Sequence, residues 1–574
     1  MANQPPAPKR PTGIDHELQD ESLHWLRGGP TEPIETKHPP GLWVLFITEM
    51  WERFSYYGMR AILVLYLIAS TAAFLEGGEA NTNPGFGWTE ADAYVLYGVY
   101  TFMVYLTAIF GGVLADRFLG THRSMLVGGW IIAGGHIMLA ATEFSGVTVG
   151  EAVTFQTSPG ALVTFLLGLS MIIVGTGFFK PCVSVMVGQL YREHDPRRDS
   201  GFTIFYMGIN LGAFLSPLVA GTLGETIGWH WGFGSAAVGM ITGLTFYQIY
   251  RAKYLREIGL APPNRGEAGR SLAVAAALIS GMVAIPLVPL LLWWTGGLGS
   301  IVEFWGSITE TNTQQTIAFI VITGAIVAAI LWFIFAQRKG ERGPLGVIFI
   351  LAFLGNIFFW AAFEQAGSSM TVFAAEETDR TIGGMLEGDG FPASWYQSVN
   401  PLCILIFAPV FAWLWVWLAR KRLNPSTPMK FAWGLWLLGL AFLAMVVGAI
   451  DAREGLAGPQ WLLITYIVVT WGELCLSPVG LSMVTKLSPA RLQSFMMGVW
   501  FFTFALSNLL AGIVARFSTK FLPDLETGAP AELEFFGMEG LPGFFMMLVV
   551  GPFAAGILIL VLTPVLKRMM KGME

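Results

Sequence analysis

An all-α polytopic membrane protein is the fold class this sequence predicts, with fourteen spans arranged as two six-helix bundles plus two additional helices. Charged residues are 13% of the 574 and hydrophobic ones 54%, against about 25% charged in an ordinary soluble domain. Apolar stretches of about 20 residues, long enough to cross the hydrocarbon as helices, recur along the whole chain. The segments between them alternate between Lys/Arg-rich and nearly base-free, as loops on opposite sides of a membrane do.

Residues 1–40 are polar and proline-rich, opening NQPPAPKRPTG with no apolar core. They read as a disordered cytoplasmic tail and not as a cleavable secretory signal. The first six spans, 41–75, 91–115, 122–142, 160–190, 200–222 and 232–251, form an N-terminal bundle over 41–251. A linker, 252–344, holds the two additional spans, 270–294 and 316–337, whose lack of central charges suits a lipid-facing accessory role. The last six, 345–372, 397–419, 430–450, 459–484, 493–516 and 543–566, form a C-terminal bundle within 345–574.

The loops check this count. ADRFLGTHR, YREHDPRR, RAKYLREIGLAPPNR, AQRKGER, ARKRLNPSTPMK, TKLSPAR and the end KRMMKG are basic, whereas EGGEANTNPGFGWTEAD, EFSGVTVGEAVTFQTSPG and TGGLGSIVEFWGSITETNTQQ have no Lys or Arg. The other three loops carry only Arg380, Arg453, and Arg516 with Lys520. By the positive-inside rule the basic loops and both termini are cytoplasmic, in a cell (inner) membrane.

Composition also excludes function classes. A net charge of −6 without a phosphate-gripping basic tract gives no support for nucleic-acid binding. Cys182, Cys403 and Cys475 lie far apart in apolar segments without metal-ligand spacing, so no metal or cofactor is expected. An intramembrane enzyme would need a nucleophile and base or a metal set, and the chain has no HExxH, GxGD or GxSG. His136 alone among seven histidines sits well inside a span, where it reads as a satisfied core residue.

Function must come from charges inside the spans. In EMWERFSYYGMRAILVLYL, residues Glu49, Glu52, Arg53, Tyr56, Tyr57 and Arg60 share one helix face. Lys180, Glu364 in FWAAFEQ and Glu473 in VTWGELCLSP complete a set of four acids and three bases. Each ionised group at the bilayer centre costs about 2.5 to 3.5 kcal/mol, so such groups usually face a pathway. One proton would neutralise the set, which suggests a proton-coupled device. Buried ion pairs that only hold helices together are the rival reading, and a spread over four spans weighs against it.

Glu49-Met50-Trp51-Glu52-Arg53-Phe54-Ser55-Tyr56-Tyr57-Gly58 resembles the ExxERFxYYG signature of the proton-dependent oligopeptide transporters, the peptide-carrying branch of the major facilitator superfamily. VYLTAIFGGVLADRFLG, GTGFFKP, FYMGINLGAFLSPLVAG, FWAAFEQAGSS and GELCLSPVGLSMVTKLSP extend the resemblance along most of the chain. It implies a major facilitator fold and a monomeric symporter that imports di- and tripeptides with protons by alternating access. A proton-coupled carrier of another small solute, such as nitrate, is the alternative; a receptor or scaffold would not need the balanced charges. Two departures stand out: residues 91–115 have no histidine of the kind animal members use in coupling, and Gly188 stands where many members have an acid.

A peptide needs cations for its carboxylate, which Arg60 and Lys180 can supply. The resemblance places Glu473, with Asn210 and Asn400, at the amine end, and Tyr57, Tyr100, Trp360 and Trp500 along the pocket walls. Asn210 reads equally as interhelical glue, and Asn400 as a helix start before Pro401. For proton coupling, Glu49 and Glu52 are expected to exchange protonation with pairing to Lys180 and Arg53, and Glu364 to pair with Arg60 when the outer gate is closed.

Overall fold

The computed structural model describes residues 37–260 and 327–570, apart from a few loop residues, together with a few positions between 276 and 284. The tail up to residue 36, most of the span expected at 270–294 and the start of that at 316–337 lie outside the described residues; the end of the latter is a short apolar helix, Val327–Ala336.

Twelve long helices are seen among the described residues. They are α1 (Gly41–Ile68), α2 (Glu90–Leu114), α3 (Thr121–Ala141), α4 (Pro159–Gln189), α5 (Arg198–Ile227), α6 (Trp229–Tyr254), α7 (Arg342–Glu376), α8 (Ala393–Arg420), α9 (Thr427–Asp451), α10 (Gln460–Leu487), α11 (Gln493–Phe521) and α12 (Gly540–Met570). Ten are apolar enough to be recognised as spans by length and composition; α1, which carries the charged stripe, and α6 are long but more polar.

Local chemistry sets several boundaries. Thr89 caps α2 by accepting the Asp92 N–H, and Glu90 and Asp92 face the positive end of the helix dipole. Ser158 caps α4 in the same way through the Ala161 N–H. The first span was expected to run to residue 75, but α1 ends at Ile68. Beyond it, the Asn81 side-chain amide donates to the Ser70 and Ala72 carbonyls and turns the chain.

Within the N-terminal bundle α3 packs on α4 and α6, and α1 on α5 and α6. The α3 and α4 backbones nearly touch, because Gly128 and Gly135 meet Gly175 and Gly168; a Cβ on Gly128 would lie 2.5 Å from the Gly175 carbonyl oxygen. In the C-terminal bundle α9 packs on α10 and α12, and α8 on α10. The two bundles meet where α2 lies along α11 and α5 along α8.

Span 9, expected as one helix, is broken. In α7 an α-helical start gives way to a π segment at Ala352–Ile357 and a 3-10 turn at Glu364–Gly367. Two further π segments, Pro217–Gly221 and Leu223–Ile227, end α5. Such irregular turns are tolerated at membrane depth where the backbone is buried in protein.

Candidate functional site

The stripe on α1 faces the seam between the bundles. Arg53 Nε stands 2.8 Å from Glu49 Oε1 and 2.9 Å from Glu52 Oε2, so one base bridges two acids. The trio is buried, and the remaining Glu49 oxygen and both Glu52 oxygens have no hydrogen-bond partner. Seven residues along, Arg60 reaches across to Glu364 on α7 at 2.7 Å. Its guanidinium lies between the Tyr57 and Tyr97 rings, 5.5 and 5.8 Å from their centroids, and the Tyr97 hydroxyl donates to Glu364 at 3.5 Å.

Lys180 departs from expectation. It does not pair with Glu49 or Glu52; its Nζ stands 3.3 Å from the centroid of the Tyr105 ring, a cation–π contact. Tyr105 in turn stacks with Phe504 of α11 at 6.3 Å, so the lysine sits at the seam. Opposite, on α10, Glu473 accepts from the Asn400 amide at 3.0 Å, and that amide also donates to Thr470 Oγ1 at 2.9 Å. Among the described residues neither Lys180 nor Glu473 has an opposite charge within 4.0 Å.

The remaining expected residues divide. Tyr57 and Asn400 are half-buried at the seam. Tyr100 is 1% exposed and its hydroxyl has no partner. Trp360 donates to Asn356, which donates to Thr503, and its ring packs 5.0 Å from Phe504. The Asn210 amide donates to the Tyr206 carbonyl one turn back, at 3.0 Å, and not to Glu473. Trp500, expected in a pocket wall, is fully buried inside the C-terminal bundle against Phe431 and Gly480, because the missing glycine side chain leaves room for its indole. His136 is in the core as expected but is not satisfied, since both ring nitrogens lack partners.

Sequence reading passes over Tyr97, Tyr105, Asn356 and Thr470. For the tyrosines a signal exists: Tyr97, Tyr100 and Tyr105, at offsets 0, 3 and 8, fall on one side of α2. It also passes over Glu225, at the end of α5, whose carboxylate accepts the Ala393 and Ser394 N–H groups of α8 at 2.7 and 3.0 Å.

That contact belongs to a set. Ser398 donates to the Phe214 carbonyl, Trp395 to Thr222, and Gln397 to the Ala61 carbonyl. These bonds, the Arg60–Glu364 pair and the close approach of Gly98 to Gly512 join the bundles on the side away from the basic loops. Among the described residues, no hydrogen bond or ion pair joins them at the basic-loop end.

Three comparisons place this geometry. The sequence model of the POT family matches residues 122–528. The chain is similar to the transporter YclF of Bacillus subtilis, 39% identical over 93% of this chain and 96% of that protein, and to the di-/tripeptide transporter of Lactococcus lactis subsp. cremoris, 35% identical over 94% and 98%. Among solved structures it resembles a POT family transporter in complex with 5-aminolevulinic acid, with a TM-score of 0.72 and 30% identity over 93% of this chain and 98% of that one. The chain belongs to the POT family and has its major-facilitator type of fold.

Proposed function

We propose that this chain is a proton-coupled symporter that imports di- and tripeptides by alternating access, as a monomer in the inner membrane. One observation carries the reading: among the described residues, Lys180 on one bundle and Glu473 on the other stand at the seam without opposite charges of their own. A short peptide, with a carboxylate at one end and an ammonium at the other, supplies both missing partners. Nitrate would leave Glu473 unanswered. The name of the Lactococcus relative supports this choice, as does the amine and carboxylate carried by the ligand of the solved POT structure.

In this reading Lys180 and Arg60 take the peptide carboxylate, and Glu473, held by Asn400 with Asn210 nearby on α5, takes the ammonium. Tyr57, Tyr100 and Trp360 line the pockets, and Trp500 supports them from within its bundle. The acids Glu49 and Glu52 share a single arginine, so a proton on Glu52 removes the excess negative charge of the trio. Proton arrival would free Arg53 toward Glu49 alone, and opening of the Arg60–Glu364 pair would release the outer face. With the basic loops in the cytoplasm, the joined side is external and the site opens inward.

The test is uptake of labelled dialanine into liposomes holding the purified protein, with and without an inward proton gradient, with free alanine as competitor. Gradient-dependent accumulation that resists free alanine is expected. Glu473→Gln should abolish it, and Glu52→Gln should retain exchange at fixed pH while losing uphill uptake. No gradient-dependent accumulation of any small peptide would overturn the proposal, and uphill uptake by Glu52→Gln would remove that residue from coupling.

A further inference from the structure

At the basic-loop end of the C-terminal bundle, away from the seam, α8, α9, α10 and α12 enclose a cavity of about 340 Å³. Trp415, Ser426, Thr427, Lys430, Lys486 and Met570 contribute to its wall, and no Asp or Glu is among the described residues that line it. In this respect it is the reverse of the central site, where acids outnumber bases.

The 25-residue helix α9 begins in this wall. Ser426 occupies the N-cap position with an extended backbone, yet its side chain makes no capping hydrogen bond. The residue is only 7% exposed, and its buried hydroxyl has no partner. A capping serine normally accepts a first-turn N–H. Here that hydroxyl is left available beside a helix N-terminus, which itself favours negative charge.

The surrounding groups have the same preference. Lys430 Nζ stands 4.5 Å from the centroid of the Trp415 ring, and the buried Trp415 Nε1–H has no acceptor. Lys486 on α10 brings a second ammonium from the exposed side. The cavity therefore gathers two cations, a helix N-terminus and two unused hydrogen-bonding groups. From these we infer that it is a binding site for a phosphate group.

The flank of the site fits a phosphate attached to lipid. Trp413 and Trp417 of α8 stack at 6.1 Å and are 63% and 41% exposed, and Leu423 beyond them is 66% exposed. Exposed aromatic residues at a span end suit the membrane interface, and basic pockets between spans on one face bind anionic headgroups. Arg420 ends α8, and Lys421 and Arg422 follow it directly. Free inorganic phosphate has the same chemistry without the acyl chains.

Thermal unfolding of the purified full chain in a neutral detergent separates the two sources. Phosphatidylglycerol should raise the midpoint saturably while phosphatidylcholine does not, and inorganic phosphate is compared with chloride at equal ionic strength. A shift with the lipid alone assigns the site to a phospholipid; an equal shift with inorganic phosphate assigns it to the free ion. Lys486→Gln should weaken the apparent affinity about fivefold, and Ser426→Ala should weaken it as well. Lys486 is exposed, so its variant is expected to fold, and transport in phosphatidylcholine liposomes provides the control. No midpoint shift in either arm, or a shift that both variants leave unchanged, would overturn the assignment.

Discussion

Arg53 meets both of its acids through one nitrogen, 2.8 Å from Glu49 and 2.9 Å from Glu52. A change of protonation on either carboxylate is therefore felt by the other without any backbone movement. The stripe that brings them together is legible in the sequence, because offsets of three and four residues share a helix face. The partner of Lys180 is not legible: spacing along α1 says nothing about what α2 places opposite α4, and Tyr105 occupies that position. His136 shows a different kind of residue-scale cost. Its two unpartnered nitrogens in a fully buried position are a desolvation penalty with no return seen in the fold. His136→Leu is expected to gain about 1 kcal/mol or more in resistance to unfolding with uptake intact, as measured by thermal denaturation beside the liposome assay. Loss of coupled uptake in that variant would instead draw the histidine into the transport cycle.

Helix positions were readable from apolar length and basic loops, while helix interiors were not. The π and 3-10 turns of α7 carry no composition signal, since FLGNIFFWAAFEQ is apolar apart from Asn356, Glu364 and Gln365 and has no proline to mark a break. The crossing of α2 and α11 is similarly silent in the sequence. It rests on Gly98 and Gly512, where an added Cβ on Gly98 would come within 2.8 Å of the Gly512 α-carbon. Gly98→Leu should force these helices apart on the side away from the basic loops. The expected result is loss of uptake together with faster reaction of a cysteine placed beside Arg60 with a membrane-impermeant reagent added from that side. Unchanged labelling and unchanged uptake would show that the crossing loosens without consequence.

At the scale of the molecule, two bundles joined at one end form a hinge-like body. Tetherings at that end include the Glu225 contacts and the meeting of Gly221 with Ser394, whose β-carbons would lie 3.0 Å apart if the glycine carried one. A disulfide needs β-carbons about 3.5 to 4.5 Å apart, so small adjustment would admit one. The pair Gly221→Cys and Ser394→Cys should cross-link on oxidation, stop uptake, and recover it on reduction. Full uptake by the cross-linked protein would exclude separation at this end from the cycle. The two-bundle plan was legible because the apolar segments fall into two sets of six. Which end is closed here was not: the Arg60–Glu364 pair was expected for only one state of the cycle, and the other contacts are bonds to backbone groups and glycine approaches that spacing along the chain does not reveal.

The π segment Ala352–Ile357 behaves as one residue slipped into the winding of α7. Deleting any one residue there would let the helix resume regular winding and turn everything beyond it by about 100°. Trp360 and Glu364 would swing off the seam, and Arg60 would face an empty place. This stretch should therefore tolerate almost no change of length, so that insertions and deletions arising in its ancestry would survive in the loops and be lost from 352–364.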